Sequence, residues 1–317
     1  MTEPTKAKTN CGFVAVIGAP NAGKSSLVNA LVGAKVSIVT HKVQTTRARL
    51  RGVAIEGDTQ IVLIDTPGIF APRRRLDRAM VAAAWEGLAD ADAALLIVDA
   101  PAYLAGSGAE KTDAASRRAC DDTDAIITAL KEKDAKVVLV LNKIDKVARP
   151  KLLGLVKSLN EAGAFAETFL ISALNGDGVK DLKAFLVALM PEGPWMYPED
   201  QLTDISERLA ASEVTREKLM LRLHQELPYE TTVETEKWEE TAKGARIEQT
   251  IYVAREGQKA IVIGKGGVTL KAIGAAARDE IADLIGRPVH LFLTVKVREN
   301  WAEEAARYRE MGLDIVD

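Results

Sequence analysis

The sequence predicts an α/β domain built on a mostly parallel sheet with helices on both faces, followed by a small α+β domain. Two observations carry this. From Phe13 to Met190, short apolar runs alternate with amphipathic stretches, the pattern of buried parallel strands covered by helices. Beyond a proline-rich break at Pro191–Pro198 the order changes to helix, two alternating strands, glycine-rich turn, helix and strand.

In the first domain the apolar runs Phe13–Ile17, Ile61–Ile64, Ala94–Val98, Val137–Leu141 and Thr168–Ile171 read as strands. Ser26–Val32, Arg78–Gly87, Asp124–Lys133, Lys151–Glu161 and Val179–Met190 carry helical spacing. Pro101–Asp122 is rich in Ala, Ser, Gly and Asp, and reads as a flexible insertion too polar to bury. In the second domain a long helix at about Asp204–Glu226 precedes strands at Thr231–Glu240 and Arg246–Arg255. A turn at Gly264–Gly267, a helix to about Ile285 and a strand at Val289–Val297 complete it. The expected organisation is a polar tail over residues 1–11, a first domain over 12–190, a linker over 191–202 and a second domain over 203–317.

Composition bounds the function. The 317 residues carry a formal net charge of −3 and 47% hydrophobic residues, enough for two packed cores and no general affinity for polyanions. Cys11 and Cys120 lie far apart and outside metal-ligand spacing, so both are expected as free thiols in a reducing compartment. No apolar run reaches the roughly 20 residues that span a bilayer, and Met1–Asn10 lacks the apolar segment of a signal peptide. A soluble cytoplasmic protein is the expectation.

Gly18-Ala19-Pro20-Asn21-Ala22-Gly23-Lys24-Ser25 fits G-x-x-x-x-G-K-[ST] between an apolar strand and a helix. Glycines there let backbone N–H groups curl around phosphate at a helix N-terminus, with Ser26 continuing the turn. Lys24 would reach the β- and γ-phosphates, and the Ser25 hydroxyl would ligate Mg²⁺. Asp65-Thr66-Pro67-Gly68 follows a second strand, where the carboxylate can hold Mg²⁺ and Gly68 can offer its N–H to the γ-phosphate. Asn142-Lys143-Ile144-Asp145 follows a third. The Asp145 carboxylate can accept from guanine N1–H and the 2-amino group, a pair of donors adenine lacks. Asn142 and Lys143 would brace the surrounding loops. In Ser172-Ala173-Leu174, the Ala173 N–H would meet guanine O6. Each of the shorter motifs alone would be an ordinary strand-end loop; four in this order at strand ends are not.

These ordered boxes resemble the TRAFAC-class GTPases from about Phe13 to Met190. The resemblance implies a P-loop GTPase domain that binds GTP or GDP with Mg²⁺ and hydrolyses GTP. It makes Val43-Gln44-Thr45-Thr46-Arg47 the switch I segment, whose threonine closes onto Mg²⁺. Thr46 is the assignment adopted; Thr45 is adjacent, and the sequence does not choose between them. Ile69 stands where many relatives place a water-orienting glutamine, so intrinsic hydrolysis is expected to be slow. In relatives with P-N-x-G-K-S the asparagine helps hold a potassium ion, which implies that Asn21 supports K⁺-stimulated turnover; a plain turn-former is the alternative. Arg73-Arg74-Arg75 reads as a solvated basic run.

In the second domain, Gly264-Lys265-Gly266-Gly267 is a G-x-x-G loop whose glycines allow a nucleic-acid backbone to approach and whose lysine can pair with phosphate. The surrounding elements resemble a type II KH module that binds single-stranded RNA. The domain is acidic as a whole, with 17 Lys+Arg against 23 Asp+Glu from Trp195 to Asp317. Lys243, Arg246, Arg255, Lys259, Lys265 and Lys271 nevertheless outnumber Glu248 and Glu256 between residues 241 and 271, pointing to a local RNA site in which Lys259 and Lys271 join the loop.

A P-loop GTPase followed by a type II KH module resembles the Era family of ribosome-assembly GTPases. Pro191-Glu192-Gly193-Pro194, Glu213 with Arg216-Glu217-Lys218-Leu219, and Leu227-Pro228-Tyr229 agree with it. The resemblance implies a monomer that binds 16S rRNA near its 3′ end and assists maturation of the 30S ribosomal subunit, some members also touching the inner membrane peripherally. The competing readings are a GTPase that docks to protein or membrane through its C-terminal domain, and an ATP-dependent nucleotide kinase in which Asp145 is incidental.

Overall fold

The computed structural model describes residues 8–42, 45–108, 112–223, 227–299, 301, 308 and 313–314. Residues 1–7 of the expected tail, Val43 and Gln44 of the expected switch, residues 109–111 of the insertion, 224–226 at the end of the long helix and most of the last 18 positions of the second domain lie outside that set. The chain divides into two compact units: Met1–Ser37, Thr46–Asp204 and Met311–Asp317 in one, Ile38–Thr45 and Ile205–Glu310 in the other.

In the first unit the elements run β1 (Asn10–Gly18), α1 (Lys24–Val32), β2 (Leu50–Glu56), β3 (Thr59–Asp65), α2 (Arg75–Ala89), β4 (Ala93–Asp99), α3 (Ala100–Ser107), α4 (Ala114–Glu132), β5 (Val137–Asn142), α5 (Arg149–Ala162), β6 (Phe165–Leu170) and α6 (Val179–Leu189). The sheet order is β2-β3-β1-β4-β5-β6, parallel except for β2 against β3. Alternation along β1 sends Ala15 and Ile17 to one face, where α4 and α5 contribute Ile126, Leu130, Leu155 and Leu159. Val14 and Val16 face the other side, where α1 and α6 bring Leu27, Leu31, Leu182 and Leu186. Each of the Val, Leu and Ile side chains contributes about 1.5–3 kcal/mol on burial. The result is a rigid sheet whose C-terminal strand ends present the loops of interest.

Three features depart from the sequence expectation. The antiparallel edge strand β2 was not anticipated, because Arg51 and Gly52 interrupt its apolar run. The insertion is not irregular: residues 100–107 and 114–132 form α3 and α4. Asp113 caps α4 by accepting from the Ala115 and Ser116 N–H groups, and Tyr103 and Cys120 are buried in the core. The expected linker is fastened along the first unit. The Gln60 side chain donates to the Tyr197 carbonyl at 2.8 Å and accepts from the Met196 and Tyr197 N–H groups. The Val53 N–H donates to the Leu202 carbonyl at 2.8 Å.

The second unit runs α7 (Glu207–Arg222), β7 (Thr231–Thr241), β8 (Gly244–Val253), α8 (Glu256–Ile263), α9 (Val268–Ile285) and β9 (Val289–Val297). Its sheet has the order β7-β8-β9, with β8 antiparallel to β7 and parallel to β9. Helix α8 departs from the expectation too, since the sequence shows only an apolar segment at Ile261–Ile263. Gln258 starts the helix by accepting from the Ala254 and Arg255 N–H groups. Leu219, Ile251, Val253, Val262 and Ile273 close one core cluster, and Ala211, Ile247, Ala277 and Ile281 the next.

Among the described residues no single helix is long and apolar enough to cross a membrane. The bent pair α8 and α9 passes on composition, but Val262, Ile273, Ala277 and Ile281 on its apolar side fill the unit's own core.

Candidate functional site

The loop between β1 and α1 is shaped by glycine. Gly23 has φ +97°, and a Cβ there would lie 2.2 Å from Asn142 Nδ2, so no side chain fits. Gly68 packs against the same loop: a Cβ would meet the Pro20 backbone nitrogen at 2.9 Å. The Ile69 N–H donates to the Gly18 carbonyl at 3.1 Å, and the Ile69 side chain is buried with Ala19 in the core. Thr66 anchors the preceding turn by donating from its hydroxyl to the Val16 carbonyl at 2.7 Å. Pro67 is buried between these two.

Lys24 is buried and donates to the Gly18 and Ala19 carbonyls at 3.1 and 2.9 Å. Burial opposes its charge and brings its pKa down to about 8, against a partial upward pull from Asp65. One helical position on, the Ser25 hydroxyl donates to Asp65 Oδ2 at 2.7 Å and lies 2.8 Å from the Thr46 hydroxyl. Asp65 is fully buried, which raises its pKa; the Ser25 hydroxyl and the ammonium of Lys24 oppose the shift. Asp65 Oδ1 and Ser37 Oγ are buried without a hydrogen-bond partner among the described residues. Orphaned hard oxygens beside two hydroxyls are a donor set that fits Mg²⁺. Ser37 was not anticipated; nothing in its sequence context marks it. Its position follows from Asn29 on α1, whose side chain accepts from the Val36 and Ser37 N–H groups and donates to the Ser37 carbonyl.

Thr45 and Thr46 behave differently. The Thr45 hydroxyl donates to the Lys42 carbonyl at 2.7 Å and lies 2.6 Å from the Thr40 hydroxyl. The Thr46 hydroxyl is the one beside Ser25.

The bracing loops close around the phosphate loop. Asn142 is buried, donates to the Ala22 carbonyl at 2.9 Å and accepts from the Lys143 and Ala173 N–H groups. The Ala173 N–H expected to face guanine is therefore turned to Asn142. Lys143 donates to the Asn21 carbonyl at 2.7 Å and pairs with Asp99, whose other carboxylate oxygen caps α3 through the Ala102 N–H. Asp99 carries no motif signature. Asn21 sits at φ +62°, holding the loop's outer edge. Asp145 and Leu174 are exposed on the same rim, and Ser172 is buried beneath them.

In the second unit Gly264–Gly267 joins α8 to α9. Gly264, Gly266 and Gly267 all have positive φ, and a Cβ on Gly264 would lie 2.2 Å from Thr269 Oγ1. Lys265 and Lys271 are exposed, as are Ile261 and Val268 on either side of the loop. Lys259 is half-buried and 3.8 Å from Glu256. Two cations of the expected cluster are elsewhere. Arg246 sits on the sheet face opposite the helices, over the Phe292 ring and paired with Glu248. Lys243 lies in the β7–β8 hairpin next to Gly244, which packs against Pro288 beyond the far end of the 18-residue α9, a helix about 27 Å long that starts at the loop.

The first unit is that of a P-loop GTPase and the second that of a KH module: the model of the 50S ribosome-binding GTPases matches residues 13–143 and that of the KH domain residues 226–302. GTPase Era of Caulobacter vibrioides (strain NA1000 / CB15N) is 60% identical over 315 residues, 99% of each chain. That of Afipia carboxidovorans is 57% identical over 315 residues, 99% of this chain and 97% of its own. The chain belongs to the Era family of GTPases. Era solved in complex with MgGDPNP and nucleotides 1506–1542 of 16S ribosomal RNA matches with a TM-score of 0.85 at 35% identity, over 96% of this chain and 99% of that one. A variant of Aquifex aeolicus Era bound to GDP·AlF4⁻ matches with a TM-score of 0.85 at 36% identity over the same shares.

Proposed function

We propose that this GTPase is a nucleotide-controlled RNA-binding factor acting on the 3′ end of 16S rRNA during maturation of the 30S subunit. The observation that carries the nucleotide half is the convergence of the Ser25 and Thr46 hydroxyls on Asp65, with Asp65 Oδ1 left for a cation. In this reading Ser25, Thr46 and Asp65 hold Mg²⁺, which when bound neutralises charge on the phosphates. Backbone N–H groups from Gly18 to Ser26 cradle the phosphates and Lys24 leaves its carbonyl partners for them. Gly68 presents its N–H to the γ-phosphate, with Thr66 and Pro67 setting its turn. Asn142, Lys143, Ser172, Ala173 and Leu174 shape the base pocket, and Asp145 selects guanine. Asn21, on the loop's outer edge, supports a K⁺ ion; equal rates in sodium and potassium buffers would remove that role.

The RNA half rests on the exposed Gly264–Gly267 loop flanked by Lys265, Lys271 and Lys259, together with the RNA bound to the structural relative. Peripheral contact with the inner membrane is a separate proposal resting on the family resemblance, and vesicle flotation checks it. The main test measures affinity for an RNA spanning nucleotides 1506–1542 of 16S rRNA with GDP and with a non-hydrolysable GTP analogue, alongside hydrolysis with and without that RNA. Linkage requires the effects to be reciprocal. An RNA that distinguishes neither nucleotide state nor changes turnover refutes the switch.

A further inference from the structure

Helix α2 carries its charges the wrong way round for its own dipole, which favours acids at the N-terminus and cations at the C-terminus. Arg73, Arg74, Arg75 and Arg78 crowd its first turns and the approach to them, while Glu86 and Asp90 stand at the far end. Asp77, the acid of the first turn, is buried and accepts from the Arg73 and Arg74 N–H groups at 3.1 and 3.0 Å, so it fixes the backbone of the run. Arg49 answers the acids at the other end, 3.9 Å from Glu86 and 3.5 Å from Asp90. The negative pole is neutralised and the positive pole is reinforced.

Helix α4, in the same compact unit, adds to this surface. Ile69, in the loop leading to α2, shares a core cluster with Cys120 of α4. Burial raises the pKa of the nearby Asp122 carboxyl, against the pull of the Ala71 N–H and of Arg118. Residues four apart share a helix face, so Arg118 lies on the side of α4 that meets Ala71. Arg117 and Arg118 are exposed, as are Arg73, Arg74 and Arg78. Among the described residues no carboxylate pairs with Arg73, Arg78 or Arg117. Asp113 is committed to capping α4, which leaves Asp121 exposed.

The composition of the patch selects its partner. None of the large apolar side chains exposed among the described residues lies on α2 or α4. The patch therefore lacks the apolar centre of a protein interface and the apolar face of a helix lying in a membrane surface. What it offers is guanidinium forks, which take phosphate oxygens in pairs, and a phosphate backbone is bound through charge.

We propose that the nucleotide-binding unit carries an RNA-backbone contact of its own, formed by Arg73 and Arg78 with Arg117 and Arg118 of α4. The inference rests on the RNA-binding reading above and adds a second contact to it. Arg73 follows Gly68 in the same loop, so RNA held here bears on the Gly68 turn directly.

The test compares full-length R73Q/R78Q, R117Q/R118Q and R73K/R78K with wild type for binding to a 16S rRNA transcript over a salt series. GDP affinity reports folding. Each glutamine pair should lower RNA affinity by about 10-fold and flatten the slope of log K against log salt by about 1.4, the value for two single-strand phosphates. R73K/R78K keeps the charge and should keep the wild-type slope. Wild-type affinity and slope in either glutamine pair overturns the shared contact, as does a flattened slope in R73K/R78K. The pairs sit on separate helices, so if one loses GDP binding the other carries the test. Glutamine pairs that bind RNA normally but no longer float with phosphatidylglycerol vesicles assign the patch to a lipid surface and overturn the proposal. A wild-type protein with no affinity for the transcript overturns the RNA reading itself.

Discussion

The hydroxyls of Ser25 and Thr46 stand 2.8 Å apart, and the first of them donates to Asp65. Residues 21 positions apart thus meet at one buried carboxylate, while Thr45 is turned into its own loop. T46A should lower GTP turnover at least about 10-fold at limiting Mg²⁺, whereas T45A, which keeps the Thr46 hydroxyl beside Ser25, should lose far less. Steady-state phosphate release over a Mg²⁺ series separates the two.

Lys24 gives a pH signature. Its pKa lies at about 8 in this structure against 10.5 for the free side chain. Between those values the unfolded chain binds more protons, so stability rises with pH; the cost of burying the charged amine is complete below pH 8 and is relieved toward pH 10.5. The difference amounts to about 3 kcal/mol. Urea unfolding of nucleotide-free protein at about pH 7 and about pH 9.5 should show about 2 kcal/mol of this rise, and Lys24→Met should remove it while abolishing tight nucleotide binding. Polyphosphate binding restores the charge, so calorimetry in buffers of different ionisation enthalpy should find uptake of about half a proton at about pH 8 and almost none at about pH 6.

Asp145 is exposed on the rim, where guanine would cover it. D145N replaces an acceptor pair by an amide with one acceptor and one donor side. GDP affinity should fall by about 100-fold or more, with folding unaffected. Competition between GDP and ADP for a fluorescent nucleotide measures the weakened discrimination.

At the glycine loop of the second unit, K265D with G266D places two carboxylates where the RNA backbone would pass. RNA affinity should fall steeply, and the slope of log K against log salt should flatten by about 0.7 for each phosphate that no longer pairs with a lysine, the value for single strands. GTP binding should be unchanged. Unaltered RNA affinity would favour a C-terminal docking module instead.

The central strands, the phosphate loop and the KH-like order were legible because their signals are local: apolar runs, glycine at fixed offsets, a lysine beside a loop. What escaped depended on distant partners. Strand β2 exists because β3 offers it a ladder, not because Leu50–Glu56 reads as a strand. Helix α8 reads as a mere apolar segment because its start depends on Gln258 reaching back to two N–H groups. Ala173 N–H is claimed by Asn142, an interaction across 31 positions. The hydrogen bonds from Val39 to Glu217 and from Arg216 to Thr45 join residues more than 170 positions apart. The motif Glu213, Arg216-Glu217 is visible as a string of charges, and its use is not. Charge counting likewise assigns Arg246 to the loop, whereas strand alternation sends it to the opposite face of the sheet.

Asp99 ends β4, caps α3 through the Ala102 N–H and pairs with Lys143, which in turn holds the Asn21 carbonyl. Helix α3 is therefore stitched, at its N-cap, to the loop that carries Asn21. An engineer seeking a minimal version of this protein should not cut at the β4 junction, since the same carboxylate would lose its capping partner and its aim toward Lys143 together. Any redesign of α3 and α4 must keep this aspartate in place.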